Sequence, residues 1–93
     1  MFARVAVFEG GDEERLAALS EERGDADRPE GILRTMVFGG NTDGKRIFIN
    51  LFESREAIAA AEVKFEELAR VLPEEVRGRR VSVDVYELLW DSG

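Results

Sequence analysis

The segment Lys45-Arg46-Ile47-Phe48-Ile49-Asn50-Leu51-Phe52-Glu53-Ser54 leaves the chain few choices of fold. Read as an extended strand running into a helix, it points Ile47, Ile49 and Leu51 to one side and Phe48, Asn50 and Phe52 to the other. A strand with water on one side alternates apolar with polar residues. Here both sides are mostly apolar, so both need a cover. A chain of 93 residues builds only a modest core of its own, and the second cover is expected from another copy of the chain.

The remaining segments supply the first cover. Residues 2 to 9 read as a strand with Ala3, Val5 and Val7 on one face and Phe2, Arg4, Ala6 and Phe8 on the other. Gly10-Gly11 ends it. Asp12 is placed to cap a short helix that carries Leu16 and Leu19 inward, with Glu13 and Glu14 in its first turn and Gly24 at its C-terminal end. A helix this short is marginal alone, so packing must hold it. A polar connector from Asp25 to Gly31 leads to a second strand, Ile32 to Phe38. The run Gly39-Gly40-Asn41-Thr42-Asp43-Gly44 then predicts a hairpin into the central strand.

Ser54 is a candidate cap for a longer helix reaching about Leu72, where Pro73 stops it. Ile58, Ala61, Phe65, Leu68 and Leu72 form one apolar stripe on it, and Glu56, Glu66, Glu67 and Arg70 fall outside the stripe. Glu74 to Arg77 reads as one further turn, and Val81 to Trp90 as a last strand. That strand puts Val81, Val83 and Val85 on one face and Ser82, Asp84, Tyr86, Leu88 and Trp90 on the other. The predicted fold is one α+β domain over residues 1–93, a ferredoxin-like βαββαβ unit with a four-stranded antiparallel sheet and two helices on one face.

Composition excludes several function classes. The formal net charge of −7 repels a phosphate backbone, so nucleic acid is not an expected partner. No apolar run approaches the roughly 18 residues of a membrane span, and no secretory signal pattern opens the sequence, so a cytoplasmic protein is expected. The sequence holds no cysteine and no histidine. Disulfides, thiolate nucleophiles, histidine metal centres and imidazole bases are thereby excluded, and no metal is expected. Gly39, Gly44 and Lys45 fit part of a phosphate-binding loop, but Arg46 stands at the Ser/Thr position and a strand follows where a helix is required.

Phe2-Ala3-Arg4-Val5 at the start, Leu51-Phe52-Glu53-Ser54-Arg55-Glu56-Ala57 at the strand-to-helix junction and Val81-Ser82-Val83-Asp84-Val85-Tyr86-Glu87 at the end resemble the antibiotic-biosynthesis-monooxygenase-like (ABM) branch of the dimeric α/β-barrel superfamily. The resemblance covers nearly the whole chain. It implies a homodimer in which two sheets meet back to back, with a pocket between sheet and helices. It further implies binding of a small planar or aromatic molecule, with oxygenation of that molecule needing no cofactor. A non-catalytic dimerisation or ligand-binding domain is the alternative. The haem-degrading relatives use an asparagine, a tryptophan and a histidine; Val5 and Phe52 stand at the matching positions of the first two, and no histidine exists, so haem degradation is not expected.

The quinone-forming relatives hold an aromatic anion with asparagine, tryptophan and tyrosine. Asn50, Trp90 and Tyr86 supply those residue types without a position-by-position match. Asn50 is the uncharged polar residue inside an apolar strand and needs a partner, either a ligand in a pocket with Phe48 and Phe52 or a neighbouring side chain. Asn50 and Tyr86 are the candidate catalytic residues, and Arg4, Phe48, Phe52 and Phe65 the candidate pocket. Arg4 either stabilises charge on Tyr86 or a ligand, or pairs with Asp84 across the strands. Trp90 is the expected dimer anchor.

Overall fold

The doubly apolar segment Lys45–Phe52 is an inner strand of the sheet, with hydrogen-bonded neighbours on both edges. A computed structural model describes residues 1–23, 29–39 and 44–93. Its elements are β1 (Phe2–Glu9), α1 (Glu13–Arg23), β2 (Ile32–Phe38), β3 (Lys45–Phe52), α2 (Arg55–Val71), α3 (Glu74–Arg77) and β4 (Arg79–Glu87). The strands form one antiparallel sheet in the order β2-β3-β1-β4, so the predicted ferredoxin-like topology stands, with α3 as the single turn expected at Glu74–Arg77. β2 and β3 pair antiparallel as the expected hairpin requires, while residues 24–28 and 40–43, which include the expected C-cap Gly24 and most of the expected glycine-rich connection, lie outside the described residues.

The helix ends follow local chemistry. Asp12 caps α1 through Oδ1, which accepts from the Arg15 N–H at 3.1 Å, and Ser54 Oγ caps α2 by accepting from the Ala57 N–H at 3.1 Å. α2 carries the predicted stripe into the core, where Ile58 and Ala61 pack on Phe52 with Phe2, Ile32, Phe65 and Val85 around them. α1 contributes less than the sequence implied: Leu16 and Leu19 are only half-buried. Its attachment runs through α3, since the Asp12 N–H donates to the Val76 carbonyl at 2.9 Å and Val76 is fully buried.

A buried arginine ties this end of the molecule together. Arg46 is 3% exposed, and its Nη2 donates to the carbonyl of Gly10 and, at 3.2 Å, to that of Arg77. One side chain from β3 thus fastens the β1–α1 turn to the end of α3. Arg46 Nη1 is sealed from solvent without a hydrogen-bond partner among the described residues.

Register sorts the side chains into two faces, because directly paired residues in an antiparallel sheet share one. Val85, Arg4, Asn50 and Thr35 form a row beneath α2, through the pairs Arg4–Val85, Arg4–Asn50 and Asn50–Thr35. The next row toward the chain start of β1 holds Phe2 and Phe52 with Ile32, and the row on the other side holds Ala6, Phe48 and Val37. The opposite face centres on Val5, Val7, Ile47, Ile49, Leu51 and Met36, and none of the three helices packs on it.

β4 departs from the expected strand at both ends. Val7 pairs with Ser82 and Phe8 with Arg80, which leaves Val81 in a bulge outside the alternation. The strand stops at Glu87, and the Leu88 N–H closes it by donating to the Met1 carbonyl at 2.9 Å. Trp90 therefore lies beyond the strand, 80% exposed beside the equally open Leu89.

Candidate functional site

The row beneath α2 places two polar side chains in an apolar setting. Arg4 is 4% exposed and Asn50 6%, and they face each other across β1 and β3. Burial of a guanidinium demands compensation. Glu62 of α2 provides it: Arg4 Nε donates to Oε1 at 2.6 Å and Nη2 to Oε2 at 3.3 Å. The Phe65 ring adds a second support, its centroid 3.9 Å from the guanidinium carbon. Phe65 in turn meets Phe52 edge-on, with centroids 6.4 Å apart.

Asn50 is held from the other side. The Thr35 hydroxyl, on β2, donates to Asn50 Oδ1 at 2.8 Å. Two donors remain in the row. Neither Asn50 Nδ2 nor Arg4 Nη1 has an acceptor among the described residues, yet neither is sealed from solvent, as Arg46 Nη1 is. They belong to residues paired across β1 and β3 on one face of the sheet.

The structure joins some of the candidate residues and separates others. Arg4, Asn50, Phe48, Phe52 and Phe65 belong to the helix-covered side. Phe52 is fully buried, so it is the floor of the core and not a wall that a ligand touches. Phe48 is half-buried and meets Phe8 edge-on at 5.4 Å. Tyr86 pairs with Ala3 and is 56% exposed on the other face, which removes it from any site shared with Asn50 or Arg4. The anticipated Arg4–Asp84 pair fails for the same reason: Asp84 stands opposite Val5, and the partner of Arg4 is Glu62.

Glu62 and Thr35 were not legible as site residues. Glu62 lies four residues after Ile58 and three before Phe65, which is the only hint that it borders the buried stripe. Thr35 acquires its role from register alone. One turn further along α2, Glu66 accepts from Arg80 Nη1 at 3.0 Å, and that hydrogen bond and charge hold its carboxyl below the ordinary value. Among the described residues, no group of acidic side chains is arranged to hold a metal ion and no helix is long and apolar enough to cross a membrane.

Neither a family model nor a curated protein matches this chain. Solved structures do. A candidate antibiotic biosynthesis monooxygenase from Chloroflexus aurantiacus J-10-fl superposes with a TM-score of 0.67 at 12% identity, covering 99% of this chain and 96% of that one. Rv0793 from Mycobacterium tuberculosis gives 0.62 at 18% identity, with 99% and 98% covered. A second candidate antibiotic biosynthesis monooxygenase, from Deinococcus radiodurans, gives 0.53 at 12% identity, with 100% and 97% covered. The chain has the antibiotic-biosynthesis-monooxygenase-like fold from end to end.

Proposed function

We propose that this chain is an ABM-like homodimer in which each protomer binds a small planar molecule beneath α2. The carrying observation is the pair of unclaimed donors, Arg4 Nη1 and Asn50 Nδ2, held in place by Glu62 and Thr35. Phe48 and Phe65 supply aromatic surface beside them. The names of two fold neighbours favour oxygenation of the bound molecule by dioxygen. In that reaction the two donors stabilise the substrate oxyanion and the phenylalanines exclude water. The dimer is supported by the apolar sheet face that no helix covers, and Trp90, exposed beyond β4, is placed to reach a partner.

Replacement of Asn50 by alanine tests the reading. A hydroquinone offered with dioxygen is expected to be turned over by the parent protein, with kcat lower by about 10²-fold in Asn50→Ala. Thr35 faces solvent, so loss of its partner should cost no more than about 1.5 kcal/mol of stability by urea unfolding. A second reading, ligand binding without catalysis, is favoured by the Thr35 hydrogen bond that occupies Asn50 Oδ1. It predicts hydroquinone binding that weakens in Asn50→Ala, with no dioxygen consumed by either protein.

A further inference from the structure

The sheet face that no helix covers is apolar in the middle and carries opposite charges at its two edges. Its inner strands present Ala3, Val5, Val7, Ile47, Ile49 and Leu51. Arg34 stands at the β2 edge, paired with Leu51, and Asp84 at the β4 edge, paired with Val5. Both are exposed, and neither side chain has a hydrogen bond or ion pair among the described residues. At the end of the same face the chain satisfies its own charges, with Arg79 Nη2 donating to Glu9 Oε2 at 3.4 Å. Arg34 and Asp84 have no such recourse. β3 and β1 lie between their strands, a separation of three strand spacings or about 14 Å, which is beyond the reach of the two side chains within one protomer.

Two copies stacked through this face are related by a two-fold axis lying between the sheets. In aligned packing that axis runs either across the strands or along them. Across the strands, centred on Val5 and Ile49 in the middle of the apolar rows, it lays β4 on β4 and sets Asp84 against its own copy. Along the strands, it lays the β2 edge of each copy over the β4 edge of the other. Arg34 then meets Tyr86, which shares its row through Leu51 and Ala3, with Asp84 one row further along. Opposite charges come together at both edges, and the exposed Tyr86 ring gains a cation to lie against.

We propose that Arg34 and Asp84 form reciprocal ion pairs between two copies of this chain and so select the stacking in which the two-fold axis follows the strands. The inference rests on the homodimer proposed above. The apolar middle holds the copies together, and the charged edges decide their orientation by penalising the alternative that sets Asp84 against Asp84.

Charge reversal in separate chains tests the pairing. Dimer dissociation constants are measured by sedimentation equilibrium for the parent protein, for Arg34→Glu and Asp84→Arg alone, and for an equal mixture of the two variants. Each variant alone sets like charges together at both edges, and its dimer is expected to dissociate about tenfold or more readily than the parent. The mixture restores an opposite pair at each edge. Native mass spectrometry, with one variant carrying a mass tag, should then show heterodimers well in excess of both homodimers. Both residues are exposed at sheet edges, and the milder Arg34→Gln and Asp84→Asn, each expected to weaken the dimer by a smaller factor, carry the test if a reversal does not fold. A dimeric parent whose variants associate as tightly as it does, or a mixture with no excess of heterodimer, overturns the pairing alone. A monomeric parent overturns the homodimer and this inference together.

Discussion

Phe52→Ala is expected to destabilise the protein by about 3–5 kcal/mol, a large part of the stability a domain of this size has. Phe52 is wholly buried and sits where β3 ends and α2 begins. Ile58 and Ala61 lie on it from α2, with Phe2 and Ile32 in the same row from β1 and β2. Removing the ring opens a cavity beneath the helix that carries Glu62 and Phe65, so it reaches the proposed ligand site as well as the core. Urea unfolding measures the loss. Phe52→Leu, which keeps most of the volume, is expected to recover the larger part of it.

The second large effect comes from a position with no side chain. Gly78 has φ of +84° and ψ of 175°, a region that residues with a Cβ seldom occupy. A Cβ there would approach the carbonyl oxygens of Glu9 and Gly10, both at 2.8 Å, and Arg46 Nη2 at 3.1 Å. The backbone strain is worth about 1–3 kcal/mol, and the crowding a further 1–3 kcal/mol or so. Gly78→Ala should therefore lower the melting temperature sharply and loosen the α3 turn, visible as faster amide exchange at Gly78, whose N–H donates to the Glu74 carbonyl. Gly44, at φ of +70° with open space around its Cβ position, supplies the contrast: Gly44→Ala meets the backbone penalty without the clash.

Where sequence patterns were strong, they located the fold. β3 reads as apolar on both sides and is an inner strand of the sheet, and the α2 stripe reads as one face because it packs on Phe52. The site was legible only in part. Arg4, Asn50 and Phe65 are visible as polar or aromatic residues in buried elements, but their mutual placement depends on register and helix rotation, which no local pattern encodes. Tyr86 shows the limit well. Alternation within β4 correctly separates it from Val83 and Val85, yet only the pairing of Ala3 with Tyr86 reveals that its face is opposite to that of Arg4. No local pattern marks Arg46 as buried, since its cover comes from Gly10, Gly11 and Gly78, which are distant in sequence.

The proposed function requires that the α2 side of the sheet bind the ligand and that a second copy cover the other side. Sedimentation equilibrium at micromolar concentration tests that most directly. The predicted result is a species of twice the chain mass, shifted to the monomer and destabilised by Ile49→Asp at the centre of the uncovered face. A well-folded parent protein that remains a stable monomer would contradict it.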